Sequence, residues 1–397
     1  MTGSVQPPPR YAGLDGVRAV AALAVVATHV GFNSGRSLDN GPFAPMLARF
    51  DFGVTLFFLL SGFVIFRPFA VASVAGLPLP DTGRFLLRRF VRILPAYWLT
   101  IAITLSALTL RNTGGKEWWS YPLLLQTYVK DNVDPSLTQM WTLSVELTFY
   151  LLLPLLAAWV VGSSGAEQAV RRTLILLGGL GVAQLASSIL AHLAGSAGFR
   201  TLIWLPANID WFALGMLLAL ISASPLGPNW FRTARTLAAA PGTCWTLAGL
   251  LFCLAMLPLA GPRLLFVPTG WEWSIKHYLY GATALFLLAP LTIAPPGWPA
   301  RLLSWRPLVF LGQISYGIYL WHLPLLLAIQ HRLGYRTFEG HFWTLLLLTV
   351  ASSTAVASLS WYLLERPLIR RLARAQARPR GTSPASPLAR MASTTEP

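Results

Sequence analysis

Residues 14–33 read LDGVRAVAALAVVATHVGFN, a run of 20 residues in which only Asp15, Arg18 and His29 can ionise. A helix of this length is about 30 Å long, which matches the hydrocarbon core of a bilayer. No obvious Ala-x-Ala cleavage site ends the run. It is therefore predicted to be a retained first membrane helix and not a cleaved signal peptide.

The rest of the chain has the same apolar character. Of its 397 residues, 55% are hydrophobic and 11% are charged, whereas soluble domains carry about 25% charged residues. So few charges are typical of a protein that meets lipid over most of its surface. Apolar segments recur to the end of the chain and predict an all-α, polytopic bundle of about ten transmembrane helices. The predicted spans are approximately 14–33, 52–72, 93–111, 142–161, 173–194, 207–222, 242–260, 275–294, 308–329 and 342–363.

Basic residues set the predicted orientation. The net charge is +16, but no basic cluster is interleaved with aromatic residues in a way that favours nucleic acid. With the N-terminus in the cytoplasm, 20 of the 30 Lys and Arg residues fall on the inner side. Both termini are therefore predicted to be cytoplasmic, and the chain to be a multi-pass protein of the cell membrane.

The predicted organisation has one functional unit. It consists of a short cytoplasmic N-terminus (1–13), a membrane domain (14–372) and a disordered cytoplasmic tail (373–397). No segment is long enough to form a separate soluble domain, so the function is expected to lie within the bundle or its short loops.

Ionisable residues inside a membrane helix are costly, which makes them the first candidates for function. Arg18 and His29 are 11 residues apart, which places them on one helical face about 16 Å apart along the axis. That spacing suits a long donor with phosphate at one end and a reactive group at the other. In the alternative interpretation, Arg18 reaches the lipid head groups and a neighbouring group satisfies His29.

Glu146 is the clearest carboxylate within a predicted span, at roughly the expected depth of His29. A carboxylate there can orient an imidazole or stabilise its protonated form, and the alternative is a structural contact between two helices. Arg89 and Arg92 lie one helical turn apart and either bind phosphate or anchor the topology. Further site candidates are Ser144, Tyr150, Tyr319 and His322, of which His322 is equally open to a structural role.

Other polar and aromatic residues carry weaker signals. Asp210 opens the sixth predicted span and is expected to be interfacial, and His277 lies at a span end. Residues 118–128 are apolar but too short to cross a bilayer, so a re-entrant or interfacial helix is predicted there. No spacing of His and Cys resembles a zinc site, and no metal is predicted.

Six motifs, in chain order, resemble those of the acyltransferase 3 family. Leu14-Asp-Gly-x-Arg18 followed by His29 is similar to the Arg-x10-His motif of that family. One departure is Leu147, which follows Glu146 where the family often has a second acidic residue. The resemblance extends from about residue 11 to residue 372. The other five motifs are Phe57-Phe-Leu-Leu-Ser61-Gly62-Phe63, Arg89-x-x-Arg92, Trp141-x-x-Ser144-x-Glu146-x-x-x-Tyr150, Ser315-Tyr-x-x-Tyr319-x-x-His322 and Glu365-Arg366-Pro367.

The resemblance implies a membrane-bound O-acyltransferase that moves acyl groups, often acetyl, from acyl-CoA or a similar donor to hydroxyl groups of carbohydrates or small metabolites. It implies catalytic roles for His29 and Glu146. Arg18, Arg89 and Arg92 would handle acyl-CoA, which is a donor substrate and not a permanently bound cofactor. Direct attack of the hydroxyl on the thioester and a transient acyl-enzyme both stay open, as do a surface glycan and a secondary metabolite as acceptor.

Two other classes of function fit part of the pattern. A transporter or flippase of glycolipids or small molecules accounts for ten helices and for intramembrane charge. It does not account for phosphate-binding arginines paired with a single His/Glu site. A non-catalytic membrane sensor or scaffold is expected to carry a larger soluble module.

Overall fold

The computed structural model describes residues 11–108, 118–129, 134–162, 166–195, 200–224, 228–263 and 268–377. Every regular element in these ranges is a helix, and no strand occurs in them. This confirms the all-α prediction. A helix is the expected element for a chain in lipid, because it satisfies its backbone N–H and C=O groups within itself.

Long helices alternate with short helical connections. Single π-helical turns, Thr104–Leu108 and Trp361–Glu365, follow the helices that end at Ile103 and Ser360. In chain order the helices are α1 (Ala12–Asn33), α2 (Ala44–Arg49), α3 (Gly53–Val74), α4 (Thr82–Ile103), α5 (Gln126–Val129), α6 (Trp141–Val161), α7 (Ala166–Leu193), α8 (Ile209–Ala223), α9 (Asn229–Ala238), α10 (Pro241–Met256), α11 (Gly270–Thr292), α12 (Trp298–Leu303), α13 (Arg306–Gln313), α14 (Ser315–Arg332), α15 (Phe342–Ser360) and α16 (Arg366–Ala377).

Each predicted span overlaps one or two of the helices, but the number of crossings is not confirmed. By length and apolar composition, five helical segments of the described ranges can cross a membrane. The number rises to seven if two bent pairs, α9–α10 and α13–α14, each count as one span. The figure of about ten spans therefore stays a prediction.

The ninth predicted span differs from the continuous helix expected over 308–329. The chain bends by 70° between α13 and α14. Ser315 Oγ donates to the carbonyl oxygen of Gly312 at 2.8 Å and satisfies a backbone group that the bend exposes. A Cβ on Gly312 would lie 1.9 Å from the carbonyl oxygen of Asp15, so the end of α13 rests directly on the backbone of α1.

Helix α3 crosses α8 so closely that their backbones touch. A Cβ on Gly62 would lie 2.1 Å from the carbonyl oxygen of Phe212, and a Cβ on Gly215 would lie 2.1 Å from that of Leu59. Small residues let membrane helices approach in this way and gain van der Waals contact. The crossing fixes the part of α3 that carries Ser61.

Gly62→Ala is expected to lower the melting temperature of the purified protein in a thermal-shift assay. The new methyl group cannot coexist with the Phe212 carbonyl unless a helix moves, and overpacking of this kind typically costs about 1–3 kcal/mol. Gly249→Ala on α10 is a matched control, because a Cβ there meets nothing within 4 Å. A Gly62→Ala protein as stable as the Gly249→Ala protein would contradict the close crossing.

Helix α1 runs through the interior of the bundle and packs against α3, α12, α13 and α14. Ala19, Ala21 and Ala22 on α1 are buried, and these small side chains let neighbouring helices approach it from several directions. Arg18 and His29 keep part of their surface accessible. Arg18 and His29 face two different cavities, which lie along opposite halves of this helix.

The segment 118–129 does not form the single short helix predicted for it. Two helical turns, Trp118–Ser120 and Gln126–Val129, flank Leu124, whose backbone is left-handed with φ of 58°. Ser144 Oγ on α6 donates to the Leu124 carbonyl oxygen at 2.7 Å. This bond satisfies a backbone group that a continuous helix would have paired.

Candidate active site

A cavity of about 360 Å³ opens between α1, α3, α4, α6 and α14, and we call it the arginine cavity. Its charged lining, among the described residues, consists of four guanidinium groups and two carboxylates. This excess of positive charge favours a polyanionic ligand such as a phosphate, which arginine binds through paired N–H donors. The charged lining residues are Arg18, Arg67, Arg89, Arg92, Asp15 and Glu146.

The arginines predicted to handle the donor come from two helices and meet in this cavity. Arg18 on α1 donates from Nε to Ser315 Oγ at 3.3 Å. Arg89 on α4 has its Cζ atom 5.9 Å from the centroid of the Tyr150 ring, a contact that orients a guanidinium group. The buried Nε of Arg89 has no hydrogen-bond partner within the described ranges, which leaves this donor to a ligand.

Arg67 also lines this cavity, although the sequence counted it only among the 20 basic residues of the inner side. Its Cζ atom lies 5.3 Å from the centroid of the Tyr11 ring, and its Nε donates to Ser222 Oγ at 3.4 Å. The available signal was its position inside the apolar run of α3, where a charge is costly unless it faces a polar interior.

Glu146 also faces the arginine cavity. Ser61 Oγ donates to Glu146 Oε1 at 2.7 Å, and the Tyr150 hydroxyl donates to the same oxygen. These neutral hydroxyls hold the carboxylate and leave its charge to act on the surrounding guanidinium groups. The structure does not place Glu146 against His29, since Glu146 lines the arginine cavity and His29 lines a different one.

This second cavity, of about 590 Å³, follows the other half of α1, and we call it the histidine cavity. Aromatic walls with a few hydrogen-bonding groups are typical of pockets for small polar molecules. The aromatic lining consists of Phe32, Trp141, Trp211, Trp273, Tyr280 and Tyr319, and the polar lining includes His29, Asn33, Asp51, Gln139 and Lys276.

Asp51 places a carboxylate in the histidine cavity. Lys276 Nζ lies 3.3 Å from Asp51 Oδ2, and the Tyr280 hydroxyl donates to Asp51 Oδ1. Sequence reasoning missed Asp51 and Lys276 because both lie at the edge of a predicted span, where charges usually mark the interface. Within the described ranges, no three His, Cys, Asp or Glu side chains are grouped as a metal ion requires.

His29 reaches the histidine cavity with its ring against that of His322. The two ring centroids are 5.1 Å apart. His322 is fully buried, and its Nδ1 donates to the Tyr319 carbonyl oxygen at 2.7 Å. The sequence left His322 open between a site role and a structural role, and the structure places it behind His29 and not on either cavity wall.

The two cavities meet at Val54 and Tyr319, which line both of them. The Tyr319 hydroxyl donates to the Gln139 carbonyl oxygen at 2.9 Å and accepts from Thr142 Oγ1 at 2.8 Å. Tyr319 is thereby held in place between the cavities. Of the other predicted candidates, Tyr150 lines the arginine cavity, whereas Ser144 lines neither cavity.

Asp210 was expected to be interfacial, and its depth in the membrane stays a prediction. Its side chain is buried, and its Oδ2 lies 2.8 Å from His277 Nε2. The His277 ring stacks on Trp211 with a centroid separation of 4.0 Å. An acid on α8 and an imidazole on α11 therefore pair with each other inside the bundle.

A comparison with protein families agrees with the family that the sequence motifs resemble. The model of the family described as an acyltransferase domain, acyltransferase 3, matches residues 11–365. The chain belongs to this family. Its acyltransferase domain contains the residues that line both cavities.

Relatives of this acyltransferase domain include three bacterial proteins. It is 27% identical over 382 residues to a putative peptidoglycan O-acetyltransferase of Bacillus subtilis (strain 168), YrhL, covering 90% of this chain and 54% of that protein. It is 25% identical over 380 residues to the peptidoglycan O-acetyltransferase OatA of Listeria monocytogenes, covering 89% of this chain and 55% of that protein. It is 23% identical over 345 residues to the O-acetyltransferase OatA of Staphylococcus aureus (strain NCTC 8325), covering 81% and 52%.

The chain spans about half the length of these curated relatives. No solved structure matches the acyltransferase domain.

Proposed function

We propose that the protein is an integral membrane O-acetyltransferase that transfers an acetyl group from acetyl-CoA to a hydroxyl group of a carbohydrate or a small metabolite. The observation that carries this proposal is the meeting of the arginine cavity and the histidine cavity at Val54 and Tyr319. A phosphate-bearing donor and a hydroxyl-bearing acceptor can enter from separate sides and react where the cavities join.

The donor occupies the arginine cavity in this proposal. Acetyl-CoA has phosphates at one end and a thioester at the other, so it needs cations at a distance from the reacting groups. Arg18 and His29 are separated by 11 residues of α1, or about 16 Å along the helix. Phosphates held by Arg18, Arg89 and Arg92 would leave the thioester arm directed towards Tyr319.

The acceptor occupies the histidine cavity. Its aromatic rings can pack against the apolar faces of a sugar, and side chains such as Asp51 and Asn33 can bond to hydroxyl groups. The names of two relatives, which describe them as peptidoglycan O-acetyltransferases, support a glycan. A hydroxyl-rich small metabolite has the same chemistry and stays within the proposal.

His29 acts as the general base. It removes the proton from the acceptor hydroxyl as the oxygen attacks the thioester carbonyl carbon. The carbon–sulfur bond then breaks, the thiol leaves with the proton that His29 carried, and the acetyl ester remains on the acceptor. A transient acyl-enzyme would give the same products in two steps.

Glu146 stays a predicted catalytic residue, and its surroundings support a place beside the donor. Its carboxylate is fixed by Ser61 and Tyr150 within the arginine cavity. From there its negative charge can offset the mutual repulsion of the guanidinium groups that would surround the donor phosphates.

The protein is proposed to be a multi-pass protein of the cell membrane with both termini in the cytoplasm, as the 20 of 30 basic residues on the inner side indicate. Fusion of a fluorescent reporter to the C-terminus is expected to give fluorescent cells, and fusion of alkaline phosphatase is expected to give no activity. Active phosphatase together with a dark fluorescent fusion would overturn this topology.

The function is tested with the purified full chain in lipid nanodiscs. Incubation with acetyl-CoA and a panel of muropeptides, oligosaccharides and hydroxylated metabolites is expected to release free coenzyme A and to form an acetyl ester, detected by mass spectrometry. Both products are expected to form about 10²–10⁴-fold more slowly with His29→Ala. Movement of an unmodified glycolipid across the membrane of proteoliposomes that contain the full chain, without ester formation, would instead favour the transporter alternative.

A further inference from the structure

His322 is a buried imidazole with one unused nitrogen. It lies on α14, and its side chain is fully buried. Its Nδ1 bonds to the carbonyl oxygen of Tyr319 at 2.7 Å, while its Nε2 has no hydrogen-bond partner within the described ranges. Leaving a buried polar atom unpaired costs free energy, so such an atom in a motif calls for an explanation.

The contact with Tyr319 determines the tautomer of His322. A carbonyl oxygen can only accept a hydrogen bond, so Nδ1 must carry a proton. A fully buried imidazole with no carboxylate against it among the described residues is neutral. Its Nε2 therefore carries a lone pair and can only accept a hydrogen bond.

His29 is the group within reach of that lone pair. The two ring centroids lie 5.1 Å apart with an interplanar angle of 46°, a separation at which two imidazole rings that meet edge to edge can share an N–H···N hydrogen bond. His29 can rotate because part of it faces the histidine cavity, whereas His322 is held by packing and by the Tyr319 carbonyl.

We propose that His322 is the positioning residue of the catalytic histidine: its Nε2 accepts the N–H of His29 and so directs the other, unprotonated nitrogen of His29 into the histidine cavity. This inference rests on the proposed function for its catalytic consequence. The orienting partner of the base is then a neutral imidazole on α14, while Glu146 serves the arginine cavity.

The role differs from that of a carboxylate partner. A neutral imidazole fixes the tautomer and direction of His29 through one hydrogen bond, but it gives little charge stabilisation to a protonated His29. The proton that His29 removes is therefore returned readily to the leaving thiol. His322 itself keeps its Nδ1 proton throughout, because the Tyr319 carbonyl holds it.

Two substitutions separate the donor and the acceptor functions of the His322 ring. In His322→Asn the side-chain amide can still donate to the Tyr319 carbonyl, but nothing remains near the position of Nε2. In His322→Gln the longer side chain places an amide oxygen near the position of Nε2, where it can accept from His29. The control is His331→Asn, the same change at an exposed position at the end of α14.

The experiment uses the purified full chain in nanodiscs, with acetyl-CoA and an accepted hydroxyl substrate, and compares variants of equal melting temperature. His322→Asn is expected to lower kcat by about 10²-fold, the lower end of a general-base contribution, with the KM for acetyl-CoA nearly unchanged. His322→Gln is expected to recover most of that loss. In 15N-histidine spectra, His29 is expected as one tautomer in the parent and in His322→Gln, and as a mixture in His322→Asn.

Equal kcat for His322→Asn and the parent, or His29 signals that are the same in all variants, would overturn the role of His322. A folded His322→Gln as slow as His322→Asn would also overturn it, since the acceptor would then be irrelevant. The spectra do not require turnover. A parent that shows the predicted tautomer pattern but no acetyl transfer would overturn the proposed function and leave the His29–His322 contact in place.

Discussion

Replacing His29 with alanine is expected to lower kcat for acetyl transfer by about 10²–10⁴-fold, the contribution of a positioned general base. Imidazole is the side chain best suited to exchange protons near neutral pH. His29 lines the cavity assigned to the acceptor, whereas His277, the other imidazole there, is paired with buried Asp210. The KM for acetyl-CoA should change little, because the substitution leaves the arginine cavity intact.

The measurement is the steady-state rate of coenzyme A release by purified His29→Ala protein whose melting temperature equals that of the parent. His331→Ala is the matched control, since His331 is exposed at the end of α14 and should retain parental kinetics. Activity of the His29→Ala protein within about threefold of the parent, far below a general-base effect, would remove His29 from the mechanism and leave it as a helix-packing residue.

Arg89→Ala is expected to raise the KM for acetyl-CoA by about 10- to 100-fold with a much smaller change in kcat at saturating donor. A hydrogen bond to a charged group contributes about 1.5–3 kcal/mol, and 1.4 kcal/mol corresponds to about tenfold in affinity. Arg89 is held against the Tyr150 ring while its buried Nε lacks a partner within the described ranges. Arg92→Ala should act in the same direction, because Arg92 lines the same cavity.

Two controls isolate the phosphate contact. Arg88→Ala on the same helix removes an exposed guanidinium that bonds to Gln376 and does not line the cavity, so it should leave the KM for acetyl-CoA unchanged. Arg89→Lys should restore affinity only in part, because lysine lacks the planar fork. If Arg88→Ala and Arg89→Ala have the same effect on KM, both residues are topology anchors and the arginine cavity is not the donor site.

Local patterns were sufficient for several features of this protein. The apolar runs predicted an all-helical chain and the positions of the longer helices, because lipid forces each segment to satisfy its own backbone. The spacing of Arg18 and His29 predicted that both lie on one side of α1, because helical geometry alone relates residues along a helix. The motif residues also led to the correct family, which matches residues 11–365.

Those local patterns did not predict which residues of different helices contact each other. Glu146 was expected to meet His29 because both were predicted at similar depth, but in the structure Glu146 accepts a hydrogen bond from Ser61 and shares the other cavity with Arg89. The partner that the structure does bring to His29 is His322, which lies 293 positions further along the chain.

What the sequence by itself determined is therefore the class of each segment, the position of each polar residue along its own helix and the membership of the acyltransferase family. Only the tertiary structure decided which polar residues share a cavity, where α13 bends into α14, and that Asp210 pairs with His277. The physical reason is that the position of a residue along a helix depends on that helix alone, whereas its neighbours depend on how helices pack. That packing rests on close backbone contacts, such as Gly62 on Phe212, between residues far apart in the chain.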